Sequence, residues 1–584
     1  MLLALVLLGA AVSAVLGRGI PSPWIVPDEL IYSELAKGLA DGLPSIRDET
    51  SFGYGLVYPL VLAPFWAVFD DVATAYAAAK AANALVMSLA AVPAYFLARR
   101  FASSGYSLVV AALSIAVPSM LYTGVLMTEV ALYPAFVLAL LAIVVAIERP
   151  TTATQLFALG AITLACAVKL VSLVLLASYV AAILLHELLA SRAGRRRPLS
   201  LFAPVWIALG AVVVATIGFA VGGGRPLGAY QVVLDNVDLV WTPWWALLHA
   251  AELVLFVAVI PAAASAMVVG RGLRTTAPDE HRILASVAIP ACVFTFLVVG
   301  AFASTSSPGG LGYPENVARL HERSTFVLAP LLFVGLVVWL RSRPARQSVV
   351  VAVAAAAALL PAAIPLNELD ENVRFQALAL VPWVENAADV AWPAGVLLFT
   401  GVLGGVFVLS NRGVDARFVV APVAAALVLV GAVAYDSMRA ASEWTRDAAW
   451  TGEPDWVDRA VPDGATVSVL WAEPDGRRFV ELERRHRVLF VGEFFNRSIG
   501  PVYEIGSPLP YGLPATAARI ENGIVVVAGG VPAPVGRFVL APCHVRVLGE
   551  QIARDAGTAA AVYRVSAPVR VVLDVSACAD RAST

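Results

Sequence analysis

Pro27-Asp28-Glu29-Leu30-Ile31-Tyr32 follows directly on the first of a long series of apolar runs. Proline suits the first turn of a helix, where the N–H it lacks would have no partner. Asp28 and Glu29 then fall at the positive end of that helix, which favours their ionised forms. Asp28, Tyr32, Leu35 and Leu39 share one face at spacings of four, three and four. Leu30, Ile31, Leu35 and Leu39 suit a helix resting on a membrane surface. The stretch reads as a short interfacial helix that presents a carboxylate beside a bilayer.

The rest of the chain supplies that bilayer. Of 584 residues, 60% are hydrophobic and only 14% are charged. Soluble domains carry nearer a quarter charged residues, so this much apolar surface needs lipid as its solvent. The net charge of -2, with no basic patch beyond short loops, excludes a nucleic-acid partner. Four cysteines with no C-x-x-C spacing exclude a cysteine metal site. Cys543 and Cys578 are a candidate disulfide if the C-terminal part lies outside the cell.

Apolar runs of roughly 17–25 residues, each long enough to cross the hydrocarbon, recur up to about residue 436. They suggest about thirteen spans, near 1–17, 74–98, 105–123, 129–147, 155–171, 172–189, 201–221, 244–268, 284–303, 324–340, 348–366, 389–409 and 418–436. Met1–Leu16 has no basic n-region. A cleaved signal peptide and a retained first helix both suit it, the second better. Arginines at 99–100, 149, 192–197, 271–282, 341–346 and 412–417 fall in alternate loops, which are therefore cytoplasmic. The opposite loops, and with them Asp28, face outward.

Beyond about residue 437 charge rises, and short β-branched runs appear between Gly and Pro. The runs are Thr466–Leu470, Arg487–Val491, Gly523–Ala528, Arg537–Leu540, Val545–Leu548, Ala561–Val565 and Val569–Val575. The expected fold class is mainly α: a polytopic transmembrane helical bundle over 1–436, followed by a C-terminal extracytoplasmic β-rich domain over 437–584.

Several polar groups stand out against this background. Asp28 is a candidate general base for an acceptor hydroxyl; the alternative is an acidic pair that only complements the helix dipole. Lys169, in Cys166-Ala167-Val168-Lys169-Leu170, sits at the outer end of an apolar span, where a cation faces a cavity or snorkels to the interface. Lys80 reads as snorkelling. Arg323 lies beside His321 and Glu322, and Arg225 follows three glycines. Glu129 lies between two apolar spans. No histidine has metal-ligand spacing.

Pro27-Asp28-Glu29-Leu30-Ile31-Tyr32 resembles the Asp-Glu motif in the first external loop of the GT-C glycosyltransferases, above all the protein O-mannosyltransferase and aminoarabinose transferase group. Tyr58-Pro59-Leu60-Val61-Leu62-Ala63-Pro64-Phe65 resembles their Pro-rich segment before the second span. Leu126-Met127-Thr128-Glu129 with Tyr133-Pro134 resembles a second acidic motif, and His321-Glu322-Arg323-Ser324 an external Glu-Arg motif. The resemblance covers roughly residues 1–340.

The resemblance implies a membrane glycosyltransferase that takes a sugar from a polyprenyl phosphate and inverts the anomeric centre by direct displacement. Asp28 and Glu29 would be catalytic, and Lys169 and Arg323 would hold the donor phosphate. Tyr32, Glu129 and Glu322 would position substrate. Asp28, Glu29 and Glu129 could hold a divalent cation through oxygen ligands, but members of the superfamily differ in metal dependence, so no metal or other cofactor is assigned. The partners implied are membrane lipid, the lipid-linked donor, and an extracytoplasmic glycan, lipid or protein acceptor. The rival is a transporter or flippase that moves a lipid-linked saccharide without chemistry. A transporter needs a polar path through the spans, and the inner halves of these spans are nearly free of charge.

Overall fold

The computed structural model describes residues 1–584 apart from 26, 48, 52–53, 195–196, 223–235, 306–319, 343–344, 367–368, 370–375, 385–391, 450–451, 473–489, 507–512, 556–559 and 575–584. Arg225 and Cys578 lie outside the described residues; Cys543 is disulfide-bonded. The fold is mainly helical with strands confined to the first loop and the C-terminal region.

Among the described residues, eight helices are long and apolar enough to cross a membrane, or ten if each of two bent pairs is one span. The expected segments near 1–17, 155–171 and 348–366 are shorter apolar helices, Leu2–Arg18, Thr152–Val168 and Gln347–Ala363. The runs at 105–123 and 244–268 do not form straight spans. Ser104–Ser114 and Pro118–Gly124 meet at 56°, because Pro118 has no N–H to continue the first helix. Thr242–Phe256 and Ile260–Gly272 meet at 115°. There Ala258 and Val259 take φ of 59° and 61°, and Pro261 starts the second helix. Hydrophobic length alone does not reveal a reversal carried by two apolar residues.

The final membrane helix, Arg417–Ala449, runs past the expected end at 436. Its extension pins the chain just before Asp28: Ser442 Oγ accepts from Ser22 N–H at 2.9 Å and donates to Ser22 O at 2.7 Å. Tyr435 crosses Gly19 so closely that a Cβ there would lie 2.0 Å from the Tyr435 hydroxyl. A larger residue there would have to displace the Tyr435 ring.

In the C-terminal region the strands are β3 Val467–Ala472, β4 Ile499–Ile505, β5 Thr516–Glu521, β6 Ile524–Val526, β7 Phe538–Ala541, β8 Val545–Val547, β9 Glu550–Arg554, β10 Ala561–Arg564 and β11 Val571–Leu573. Their main sheet has the order β6-β5-β4-β3-β7-β10-β9, with β3 parallel to both β4 and β7. β8 and β11 form a separate pair, and a small hairpin, β1 Ser45–Ile46 and β2 Glu49–Thr50, lies in the first loop. Of the strand expected at 487–491, residues 487–489 lie outside the described residues, and 490–491 open a helical turn over 490–495. The aromatic pair Phe494 and Phe495, with Phe490, is buried there against the membrane helices.

That turn docks onto the first loop. Arg47 forms a two-point pair with Glu493 at 2.7 and 2.8 Å and donates to Pro514 O at 2.8 Å. Lys37 Nζ donates to Phe494 O at 3.1 Å. Arg497 reaches Trp66 O and Phe69 O at 2.9 and 2.7 Å, and Tyr76 meets Phe494 edge to face. The C-terminal strands therefore stand on the same side of the bundle as Asp28.

Candidate active site

The interfacial helix is Asp28–Ala40, with Pro27 as its N-cap. Leu30, Ile31 and Leu35 do not rest on the membrane surface. They are buried in the protein core, where their helix packs against Val57–Val68 of the first loop.

Asp28 and Glu29 are adjacent but do different work. Successive helical residues point about 100° apart, so Glu29 turns inward. Its Oε2 accepts from Trp24 N–H and Ile25 N–H at 2.8 and 3.0 Å. Its Oε1 accepts from Tyr76 Oη and Leu126 N–H at 3.1 and 3.0 Å. Burial pushes the Glu29 carboxyl up to about 7, against these bonds, all of which favour the ionised form. Glu29 ties the pre-helix loop, the second membrane helix and the Val125–Met127 segment together.

Asp28 faces outward, where it meets Arg323 Nη1 at 2.5 Å. The Arg323 Nε lies 3.9 Å from Glu129 Oε1, and Lys169 Nζ lies 2.7 Å from that same oxygen. Asp28, Arg323, Glu129 and Lys169 thus form one continuous row of alternating charge. Asp28 is its most exposed member, with 26% of the side chain accessible, against 17% for Arg323, 12% for Lys169 and 2% for Glu129. The row opens to solvent at Asp28 and closes inward at Glu129.

Backbone breaks place the two cations. Lys169 ends Thr152–Val168 in an extended conformation, before a short 3-10 turn at Leu170–Leu173. Gly55 of the first loop lies against this break, where a Cβ would sit 2.1 Å from Val168 O. Arg323 belongs to the short helical turn Glu322–Thr325. Glu322 does not join the row. It accepts from Ser119 Oγ at 3.0 Å and from Ala379 N–H at 2.7 Å. Tyr32 packs edge to face on Tyr58, with ring centroids 5.6 Å apart. Lys80 does not snorkel. It is buried and donates to Gly17 O and Ile20 O at 3.1 and 2.6 Å, capping the first helix.

The donor set does not fit a divalent cation. Glu29 spends both oxygens on protein donors, and Asp28 and Glu129 each face a cationic side chain. Among the described residues no group of three metal-ligating side chains occurs.

The sequence reading missed Glu252 and did not use His249. Both lie on Thr242–Phe256 and are completely buried. The available signal was an ionisable pair at i and i+3 within an apolar run, which is costly in a membrane.

The many-helix membrane bundle with its C-terminal β-rich region has a fold found among solved membrane proteins. Among solved structures, the chain is similar to ArnT from Cupriavidus metallidurans bound to undecaprenyl phosphate. That likeness has a TM-score of 0.52 at 15% identity, over 96% of this chain and 98% of that one. It is also similar to the oligosaccharyltransferase of Archaeoglobus fulgidus, with a TM-score of 0.41 at 12% identity, over 85% of this chain and 64% of that one. No family model matches the chain, and no curated protein matches its sequence.

Proposed function

We propose that this chain is a membrane glycosyltransferase that moves a sugar from a polyprenyl phosphate to an acceptor hydroxyl outside the cell, with inversion. The observation that carries the reading is the Asp28–Arg323–Glu129–Lys169 row, partly open at Asp28. The likeness to a fold that binds undecaprenyl phosphate supports a donor of that class.

The row suggests the order of events. A donor phosphate competes with Asp28 for Arg323 and with Glu129 for Lys169, since phosphate takes two-point bonds from a guanidinium. Drawing Arg323 away frees Asp28. The acceptor O–H then gives its proton to Asp28 as its oxygen attacks the anomeric carbon. The new carbon–oxygen bond forms while the bond from that carbon to the phosphate oxygen breaks. Polyprenyl phosphate leaves with the electron pair, and Arg323 and Lys169 balance the charge that develops on it. Tyr32 and the docked C-terminal region border the acceptor side. Asp28→Asn tests the reading: turnover of purified protein with a polyprenyl-phosphate sugar falls by about 10²–10⁴ while donor binding persists. Near-normal turnover removes Asp28 from the chemistry.

A further inference from the structure

Arg323 sits in a single helical turn, Glu322–Thr325, with His321 as its N-cap. A turn this short has no stability of its own, because helix nucleation fixes several residues for one hydrogen bond. Its neighbours must hold it. The helix Thr242–Phe256 does so from one face, through residues three positions apart. His249 Nε2 accepts from His321 N–H at 2.9 Å, and Glu252 Oε2 lies 3.3 Å from Thr325 Oγ1. One contact falls at each end of the turn, with Arg323 between them.

The His249 contact fixes the state of its ring. A backbone N–H can only donate, so Nε2 is unprotonated. Nδ1 lies 2.7 Å from Trp245 O, which can only accept, so Nδ1 carries the proton. The ring is therefore neutral and in one tautomer, with both nitrogens bound to backbone groups. A second proton, on Nε2, would set donor against donor and break the link to His321. His249 is completely buried, and its ring lies parallel to that of His321 with centroids 6.2 Å apart. The His321 ring is fixed in turn by Gln376 Oε1, 3.0 Å from its Nδ1, and by an edge-to-face contact with Phe302.

We propose that His249 is a positioning residue: its unprotonated Nε2 takes the His321 N–H and so fixes the start of the turn that aims Arg323 at Asp28. Its effect on donor binding rests on the function proposed above; the hydrogen bond does not. Three variants separate the bond from packing. His249→Gln places an amide oxygen where Nε2 stood and can still accept. His249→Asn keeps a donor for Trp245 O but is too short to reach His321. His249→Leu fills the space and does neither. Hydrogen–deuterium exchange of a peptide covering 320–325, in full-length detergent-solubilised protein, reads the bond. Protection is kept in the glutamine variant and lost in the other two. Affinity for undecaprenyl phosphate reads the consequence. It falls about tenfold or more in His249→Asn and His249→Leu, the effect of leaving a buried N–H without its acceptor, and the glutamine variant recovers most of the loss. Nitrogen NMR of histidine-labelled protein shows a ring protonated on Nδ1 and not on Nε2, a signal absent from His249→Gln. The opposite tautomer, or three variants that behave alike, overturns the proposal. If wild type does not bind undecaprenyl phosphate, the functional reading fails, and the exchange and the tautomer still decide the role of His249.

Discussion

The two-point pair between Arg47 and Glu493 offers the sharpest test of how the C-terminal region is held. Each side chain is only 1% accessible. Glu493→Ala leaves the Arg47 guanidinium in a dry site with Pro514 O as its remaining hydrogen-bond acceptor among the described residues. Removing one partner of a buried pair costs about 3–5 kcal/mol, on the order of 10²–10³ or more in the docking equilibrium. Arg47 also sits at φ 52°, a conformation that costs a non-glycine residue about 1–2 kcal/mol and is retained by the contacts it makes. The double variant Arg47→Met/Glu493→Leu removes both charges and recovers most of the loss, because no uncompensated ion remains. Arg47→Lys falls between, since an ammonium cannot make the fork. Hydrogen–deuterium exchange of peptides covering 34–47 and 490–497 reads the outcome. Protection falls in Glu493→Ala and returns in the double variant. Unchanged exchange in Glu493→Ala refutes the docking argument.

Further outcomes follow from the site. Lys169→Ala weakens donor binding in a lipid-phosphate assay and leaves the acceptor KM unchanged; unaltered donor affinity means that Lys169 serves only Glu129. Glu29→Gln lowers the melting temperature although it is nearly isosteric, because its NH₂ must face an N–H or O–H donor. The cost is about 1–3 kcal/mol for each buried group left unpaired, and an unshifted melting curve contradicts the four-donor bonding of Glu29. Thr516→Cys, exposed on β5, reacts with a membrane-impermeant thiol reagent in intact cells. Labelling only after lysis places the C-terminal region, and Asp28 with it, on the cytoplasmic side. Ser468 would be a poor choice for this test, since it is buried in the central strand β3.

The helical plan is legible because apolar runs of membrane length leave few alternatives, and the helix at Asp28 is announced by its proline and acidic pair. Position within a helix is harder to read. Asp28 and Glu29 look alike in sequence, and only the packing of Tyr76 and Leu126 turns one into a tie and leaves the other facing Arg323. Lys80 misleads for a related reason: nothing in sequence reveals that Gly17 and Ile20 carbonyls end a helix beside it. The reversal at Ala258–Val259 is built from residues that also form helices, so periodicity runs through it unbroken. Glu252 is visible as a carboxyl in an apolar run, but the Thr325 hydroxyl it accepts from is about seventy positions away on another helix.

The separation between Arg47 and Glu493 has a consequence for biogenesis. The two residues are 446 positions apart. At roughly 5–20 residues per second, the first loop waits on the order of 20–90 s after its own synthesis before its buried arginine can find its carboxylate. Insertion of the membrane helices precedes that moment. The loop that carries Asp28 is thus completed last, and a chain truncated before residue 493 enters the bilayer with the site assembled at one end and unlatched at the other.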